Sequence, residues 1–86
     1  MDVNIRDYIG REKELTAEQV RKLPEGTTVR LHRFDRHGEH VYRDMTIVRS
    51  GKKKILSSWD YWDGGRTTKD IKKETDRFCY TEVNNG

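Results

Sequence analysis

Cysteine, proline and long apolar runs are scarce or absent in this chain of 86 residues. Its one cysteine, Cys79, excludes an internal disulfide and favours a reducing compartment. No window approaches the length of a transmembrane helix, and the N-terminus carries no apolar run typical of a signal peptide. The sequence therefore predicts a cytoplasmic protein that makes no membrane contact.

Aliphatic residues are also few, with a hydrophobic share of 31% and a mean hydropathy of −1.11. Charged residues make up 38% of the chain, which is high enough to raise disorder as an alternative. Eight aromatic residues and alternating Val and Ile oppose that alternative, because disordered segments are poor in both. We therefore expect one folded domain with a thin core over residues 1–86, comprising an N-terminal segment (1–14), a β-rich core (15–83) and a frayed tail (84–86).

A short helix is predicted over about residues 16–23. Thr16 and Gln19 have the spacing of a capping box, and Leu15 and Val20 have the spacing of a hydrophobic staple. Pro24 ends the helix at the preceding residue. Another short helix, around residues 4–9, is suggested by apolar residues at helical spacing before Gly10.

Strand patterns fill most of the remaining chain. Apolar and polar residues alternate around Val29 and again from about residue 40 to 49. A turn centred on Gly38 would place Leu31 opposite Met45, His32 opposite Asp44, and Arg33 opposite Arg43. Further strands are predicted near residues 54–59 and 77–83. The predicted fold class is α+β and β-rich: a small curled antiparallel sheet, or an SH3-like barrel, of four to five strands.

Positive charge is concentrated in the middle of the chain. Residues 27–54 contain eight Lys or Arg against three Asp or Glu, whereas each flank carries five against six. Such a strip suggests an anionic partner. The candidate contacts are Arg30, Arg33, Arg43, Arg49, Lys52, Lys53 and Lys54. The alternative is that these side chains only solvate turns and protect strand edges.

Aromatic residues beside this strip are the second candidate site. Tyr61 and Trp62 are predicted to contact the partner, since aromatic rings stack on bases and anchor protein interfaces. Trp59 is predicted to lie in the core, because a chain with few aliphatic residues needs its large rings there.

Metal and catalytic signatures are weak. A cluster of potential ligands surrounds the hairpin turn, but its spacing matches no zinc pattern, so no metal or other cofactor is predicted. The cluster comprises His32, Asp35, His37, Glu39 and His40. A contact between His32 and Asp44 that raises the histidine pKa is favoured instead. Cys79 and Ser57 lack a catalytic context, so the chain is predicted not to be an enzyme.

The sequence is thus typical of a small binding module for an anionic partner, with nucleic acid as the first choice. The alternative is an accessory or inhibitor protein, of the kind that phage or mobile elements encode, docking on an acidic protein surface. A homodimer that forms through a strand edge is a third alternative.

Overall fold

The computed structural model describes residues 3–60 and 64–83. A 3-10 helix, Ile5–Tyr8, comes first and is followed by β1 (Glu14–Leu15) and α1 (Ala17–Lys22). The remaining elements are the strands β2 (Thr28–Phe34), β3 (His40–Ser50), β4 (Lys53–Asp60), β5 (Gly65–Asp70) and β6 (Phe78–Glu82).

The capping box predicted for α1 is confirmed. The Gln19 amide donates to Thr16 Oγ1 at 3.1 Å, and the Thr16 amide donates to Gln19 Oε1 at 2.8 Å. Glu74 adds a third cap from a distant part of the chain, since its Oε2 accepts from the Ala17 amide at 2.8 Å. This hydrogen bond is the main cause that lowers the pKa of Glu74. The predicted N-terminal helix is present as the 3-10 helix.

The six described strands form one antiparallel sheet in the order β1-β6-β2-β3-β4-β5. The prediction of a β-rich antiparallel sheet is confirmed. The count of four to five strands is too low, because β5 and the two-residue β1 were not expected as strands. In the part of the chain that the structure describes, the sheet has two ends, β1 and β5, and is not closed, so a barrel of SH3-like type stays a prediction.

The register of the β2–β3 hairpin differs by two residues from the predicted one. Val29 pairs with Met45, Arg30 with Asp44, and His32 with Tyr42. The turn is centred on His37, where Asp35 Oδ1 accepts from the amides of both His37 and Glu39, at 2.8 and 3.0 Å. Gly38 takes the left-handed position at the end of this turn, with φ +80°.

This register corrects two predicted pairs. Arg33 lies opposite Val41 and Arg43 lies opposite Leu31, so the two arginines do not face each other. A shift of two residues keeps each side chain on its predicted face, because the side-chain period of a strand is also two.

The two faces of the sheet differ in what covers them. The inner face packs against α1 and carries the main core: Leu15, Ala17, Val20, Val29, Leu31, Met45, Ile47, Leu56, Ile71 and Tyr80. The outer face is partly covered by the N-terminal segment, through a small cluster of Ile5, Ile9 and Cys79. The predicted burial of the hairpin's apolar side is confirmed by Val29, Leu31, Met45 and Ile47, which are all buried.

The sheet curls so that β5 approaches β6, although four steps of the strand order separate them. Residues of both strands line one groove on the inner face. The connection between the two strands is held by Tyr80, whose hydroxyl donates to the Lys72 carbonyl at 2.8 Å and accepts from the Lys72 amide at 2.9 Å. In residues 3–60 and 64–83, no helix has the length and apolar character needed to cross a membrane.

Candidate functional site

The β3–β4 turn gathers positive charge into one groove, here called the turn groove. It encloses about 570 Å³ and is lined by Arg21, Arg49, Lys52, Lys53, Lys54, Asp70 and Ile71. The tight turn at Gly51, with φ +64°, places the ends of β3 and β4 side by side. Four of the seven predicted basic residues therefore lie together.

Interactions inside the turn groove fix some of these cations. Lys54 Nζ donates to the Leu23 carbonyl at 2.7 Å, which ties β4 to the end of α1. Lys53 Nζ lies 3.2 Å from Asp70 Oδ1, and Arg49 Nε lies 3.4 Å from Glu25 Oε2. These last two pairs are exposed and therefore weak. Lys52 is exposed and has no ion pair with any described residue.

A second groove, here called the inner groove, opens where the sheet curls. It encloses about 450 Å³ and is lined by Leu31, Arg33, Phe34, Thr68, Lys69, Asp70, Lys72, Arg77, Phe78 and Tyr80. Four cations thus surround apolar side chains. Asp70 is the only carboxylate among the described lining residues, and Lys53 already pairs with it.

The two grooves adjoin, because Asp70 lines both of them. Together their described residues present nine cations and one carboxylate. We call these cations the basic belt: Arg21, Arg33, Arg49, Lys52, Lys53, Lys54, Lys69, Lys72 and Arg77. Charges of one sign in adjoining concave surfaces reinforce one another and raise the local concentration of counterions.

Two of the predicted contact residues lie outside the belt. Arg30 points to the outer face, where its guanidinium lies 2.7 Å from Asp44 Oδ1 and 3.1 Å from Glu12 Oε1. The bond to Asp44 is the main cause that raises the pKa of Arg30. Arg43 is exposed on the inner face but lines neither groove. The predicted strip therefore does not form one continuous surface.

Four cations of the belt were missed in the sequence: Arg21, Lys69, Lys72 and Arg77. Arg21 lies on α1, outside the basic middle of the chain, and reaches the groove by donating to the Ile71 carbonyl. The other three lie in a segment whose balance of charge is slightly negative, so composition gave no signal for them.

The outer face carries exposed aromatic side chains. Tyr8 is 49% exposed, Tyr42 is 57% exposed and Trp59 is 54% exposed. The prediction that Trp59 lies in the core is wrong. Trp59 follows Ser57 by two residues and shares its side of β4, and Ser57 pairs with Thr46 on the outer side of β3. Tyr61 and Trp62, the predicted contact aromatics, lie outside the described residues.

A directed hydrogen-bond chain crosses the outer face beneath these aromatics. The Thr81 hydroxyl donates to Glu12 Oε1 at 3.1 Å, so its oxygen accepts from His32 Nε2 at 2.9 Å. In neutral His32 the Nδ1 atom accepts from His40 Nε2, which lies 2.8 Å away.

His32 is 1% exposed, and burial favours the neutral imidazole over the charged one. Burial is the main cause that lowers its pKa, and the attraction of Glu12 opposes this shift. The predicted contact with Asp44 and the predicted rise of the His32 pKa are therefore both wrong. The cause is the register, which places Arg30 beside Asp44.

Metal-ligating and nucleophilic side chains form no further site in the residues that the structure describes. In the described parts of the chain, no three His, Cys, Asp or Glu side chains come together as a metal site. Cys79 is fully buried, and burial raises the pKa of its thiol to about 11. A thiol in this environment is a poor nucleophile.

No protein-family model, curated protein or solved structure matches the chain.

Proposed function

We propose that the protein is a non-enzymatic binding module that holds nucleic acid along the basic belt. The observation that carries this proposal is the concentration of nine cations around one carboxylate in two adjoining grooves. Phosphate groups are bound mainly through such charges, and each neutralised phosphate releases counterions. A cytoplasmic location, which the single cysteine favours, is part of this proposal.

The arrangement suits a chain of phosphates better than one compact anion. The cations are spread over two grooves that together exceed the size of a single-phosphate site. They also come from several elements: α1, β2, β3, β4, β5 and the β5–β6 connection. A flexible polyanion can contact such a set in succession, whereas a small anion would contact only a few of its members.

A salt titration of a double variant tests the proposal. Arg33→Gln combined with Lys52→Gln removes one exposed cation from each groove, and neither side chain has an ion pair with a described residue. For a single-stranded oligonucleotide, the slope of log K against log salt should become less steep by about 1.4, which is roughly 0.7 for each lost phosphate contact. Fluorescence anisotropy with a labelled oligonucleotide measures this slope.

A matched control removes the same charge elsewhere. Arg11→Gln combined with Lys13→Gln alters two exposed cations before β1 that line neither groove of the belt. This variant should keep the unaltered slope. Binding that is absent at low salt, or an equal loss in the two double variants, would refute the proposal.

Docking on a partner protein is the second candidate function, and the exposed aromatic side chains of the outer face favour it. Tyr42 packs beneath the Arg30 guanidinium, 4.4 Å from ring centroid to carbon, and Tyr and Arg are frequent anchors of protein interfaces. A pull-down from a nuclease-treated lysate, with the variant Tyr42→Ala combined with Trp59→Ala as control, distinguishes the two functions. A protein that the original chain retains and this variant loses supports docking. A homodimer through a strand edge stays a prediction, which sedimentation at several concentrations tests.

A further inference from the structure

The inner groove differs from the turn groove in its floor. Leu31, Phe78 and Tyr80 lie on the inner side of neighbouring strands β2 and β6 and form this floor. Phe34 borders the groove at the end of β2, but its side chain packs with the cluster of Ile5, Ile9 and Cys79 on the outer face. Among its described lining residues, the turn groove has Ile71 as the only apolar one. One part of the belt therefore combines cations with an apolar and aromatic surface, and the other part is almost purely cationic.

Local packing decides which ring of this apolar surface is exposed. The Tyr80 hydroxyl accepts from the Lys72 amide and donates to the Lys72 carbonyl, which ties the β5–β6 connection to the sheet beside the groove. The rings of Tyr80 and Phe78 meet edge to face, with centroids 6.1 Å apart. Tyr80 is buried, whereas Phe78 is only partly buried and packs at the border of the core. Phe78 is therefore the aromatic ring of the β6 strand that a ligand in the groove can reach.

We propose that the inner groove accepts an unpaired nucleobase, so that the nucleic acid bound along the belt is single-stranded. This inference rests on the proposed function. A base inside a duplex has its flat faces covered by its neighbours, whereas a base in a single strand can place a face on an aromatic ring. The groove volume of about 450 Å³ lies within the range of roughly 300–1,000 Å³ for small-ligand sites.

The charges around the groove fit the same ligand. Arg33, Lys69, Lys72 and Arg77 line it on strands β2 and β5 and on the β5–β6 connection, so phosphates on both sides of an inserted base would meet cations. The turn groove continues the belt beyond Asp70, whose charge is offset by Lys53 at 3.2 Å. A strand with one base in the inner groove would thus extend its next phosphates along the turn groove.

Three probes of equal length test this inference by fluorescence anisotropy. They are a labelled 12-nucleotide oligothymidine, an abasic 12-mer with the same phosphates, and the same thymidine strand paired with its complement. The unaltered protein should bind the thymidine strand about tenfold more tightly than the abasic strand, because stacking of one base on an aromatic ring supplies a preference of this size.

A ring variant and a charge variant separate the two contributions. Phe78→Leu keeps an apolar side chain but removes the ring, so the preference for the thymidine strand should fall to about twofold or less while abasic binding stays unchanged. Arg33→Gln combined with Lys52→Gln should instead weaken both single-stranded probes by the same factor. Thermal melting confirms that each variant is folded.

Each outcome decides one proposal. Equal affinity of the unaltered protein for the thymidine and abasic strands, or tighter binding of the duplex, overturns the inference and leaves the proposed function standing. Failure of every probe to bind at low salt overturns the proposed function itself. The comparison of probes on the unaltered protein decides the question even where Phe78→Leu does not fold.

Discussion

The variant of Arg30 tests whether this residue stabilises the fold or binds the partner. The sequence analysis predicted that Arg30 binds the partner, whereas its ion pairs in the structure indicate that it stabilises the sheet. Its guanidinium contacts Asp44 at 2.7 Å and Glu12 at 3.1 Å, and its side chain is 25% exposed. The variant Arg30→Gln removes both ion pairs and leaves two carboxylates side by side without a cation.

The expected cost lies between two limits. A hydrogen bond to a charged group contributes about 1.5–3 kcal/mol when protected from water, and an exposed ion pair contributes about 0.2–1 kcal/mol. Because all three side chains are partly exposed, we take about 1 kcal/mol for each carboxylate, or about 2 kcal/mol of unfolding free energy in all. For a domain of this size, that corresponds to a fall in Tm of roughly 10 °C.

Thermal melting by circular dichroism measures this fall, and Arg33→Gln is the matched control. Arg33 lies on the same strand three residues further on, is exposed on the opposite face and has no ion pair with a described residue. Its replacement should change stability by less than about 0.5 kcal/mol and should weaken oligonucleotide binding. Arg30→Gln should do the reverse. The reasoning fails if Arg30→Gln melts with the unaltered protein, or if it weakens binding of the folded protein as much as Arg33→Gln does.

Three further predictions concern the fold. The pKa of His32 is lowered on folding, so the free energy of unfolding should fall as the pH drops below about 6.5, by up to about 1.4 kcal/mol per pH unit. The variant His32→Gln should make this pH dependence weaker, and the control variant His37→Gln should leave it unchanged. Thr16→Ala removes the cap of α1 and should cost about 1 kcal/mol in denaturant unfolding, whereas Thr16→Ser should cost much less. Cys79 is buried with its pKa raised to about 11, so Ellman's reagent should label it only under denaturing conditions; rapid labelling at neutral pH would contradict the described burial.

Local signals in the sequence predicted the elements whose residues interact with near neighbours. The capping box of Thr16 and Gln19 needs only residues three apart, so its side-chain types identify the helix start. The alternation around Val29 and Met45 likewise identified the buried side of the hairpin, because an apolar face at period two can only point inward.

The register of that hairpin could not be predicted from the alternation of apolar and polar residues alone. It depends on which amides the Asp35 carboxylate binds, and two turns that differ by one residue in their centre satisfy the same apolar pattern. The shift moved Asp44 from His32 to Arg30, and with it the expected role of each residue. An error of one residue in the centre of the turn, which shifts the register by two, therefore altered the interpretation of a histidine and an arginine.

What the sequence determined by itself was the class of the fold, the cap of its helix and the excess of positive charge in its middle third. Only the tertiary structure decided which cations lie together. Strand β5 has no apolar residue and forms by pairing with the edge of β4. The curl of the sheet then brings Lys69 of β5 into the same groove as Arg33 of β2 and Arg77 of the β5–β6 connection. The physical reason is that local patterns record contacts between near neighbours in the chain, whereas a groove is made by segments that meet only after the sheet has curled.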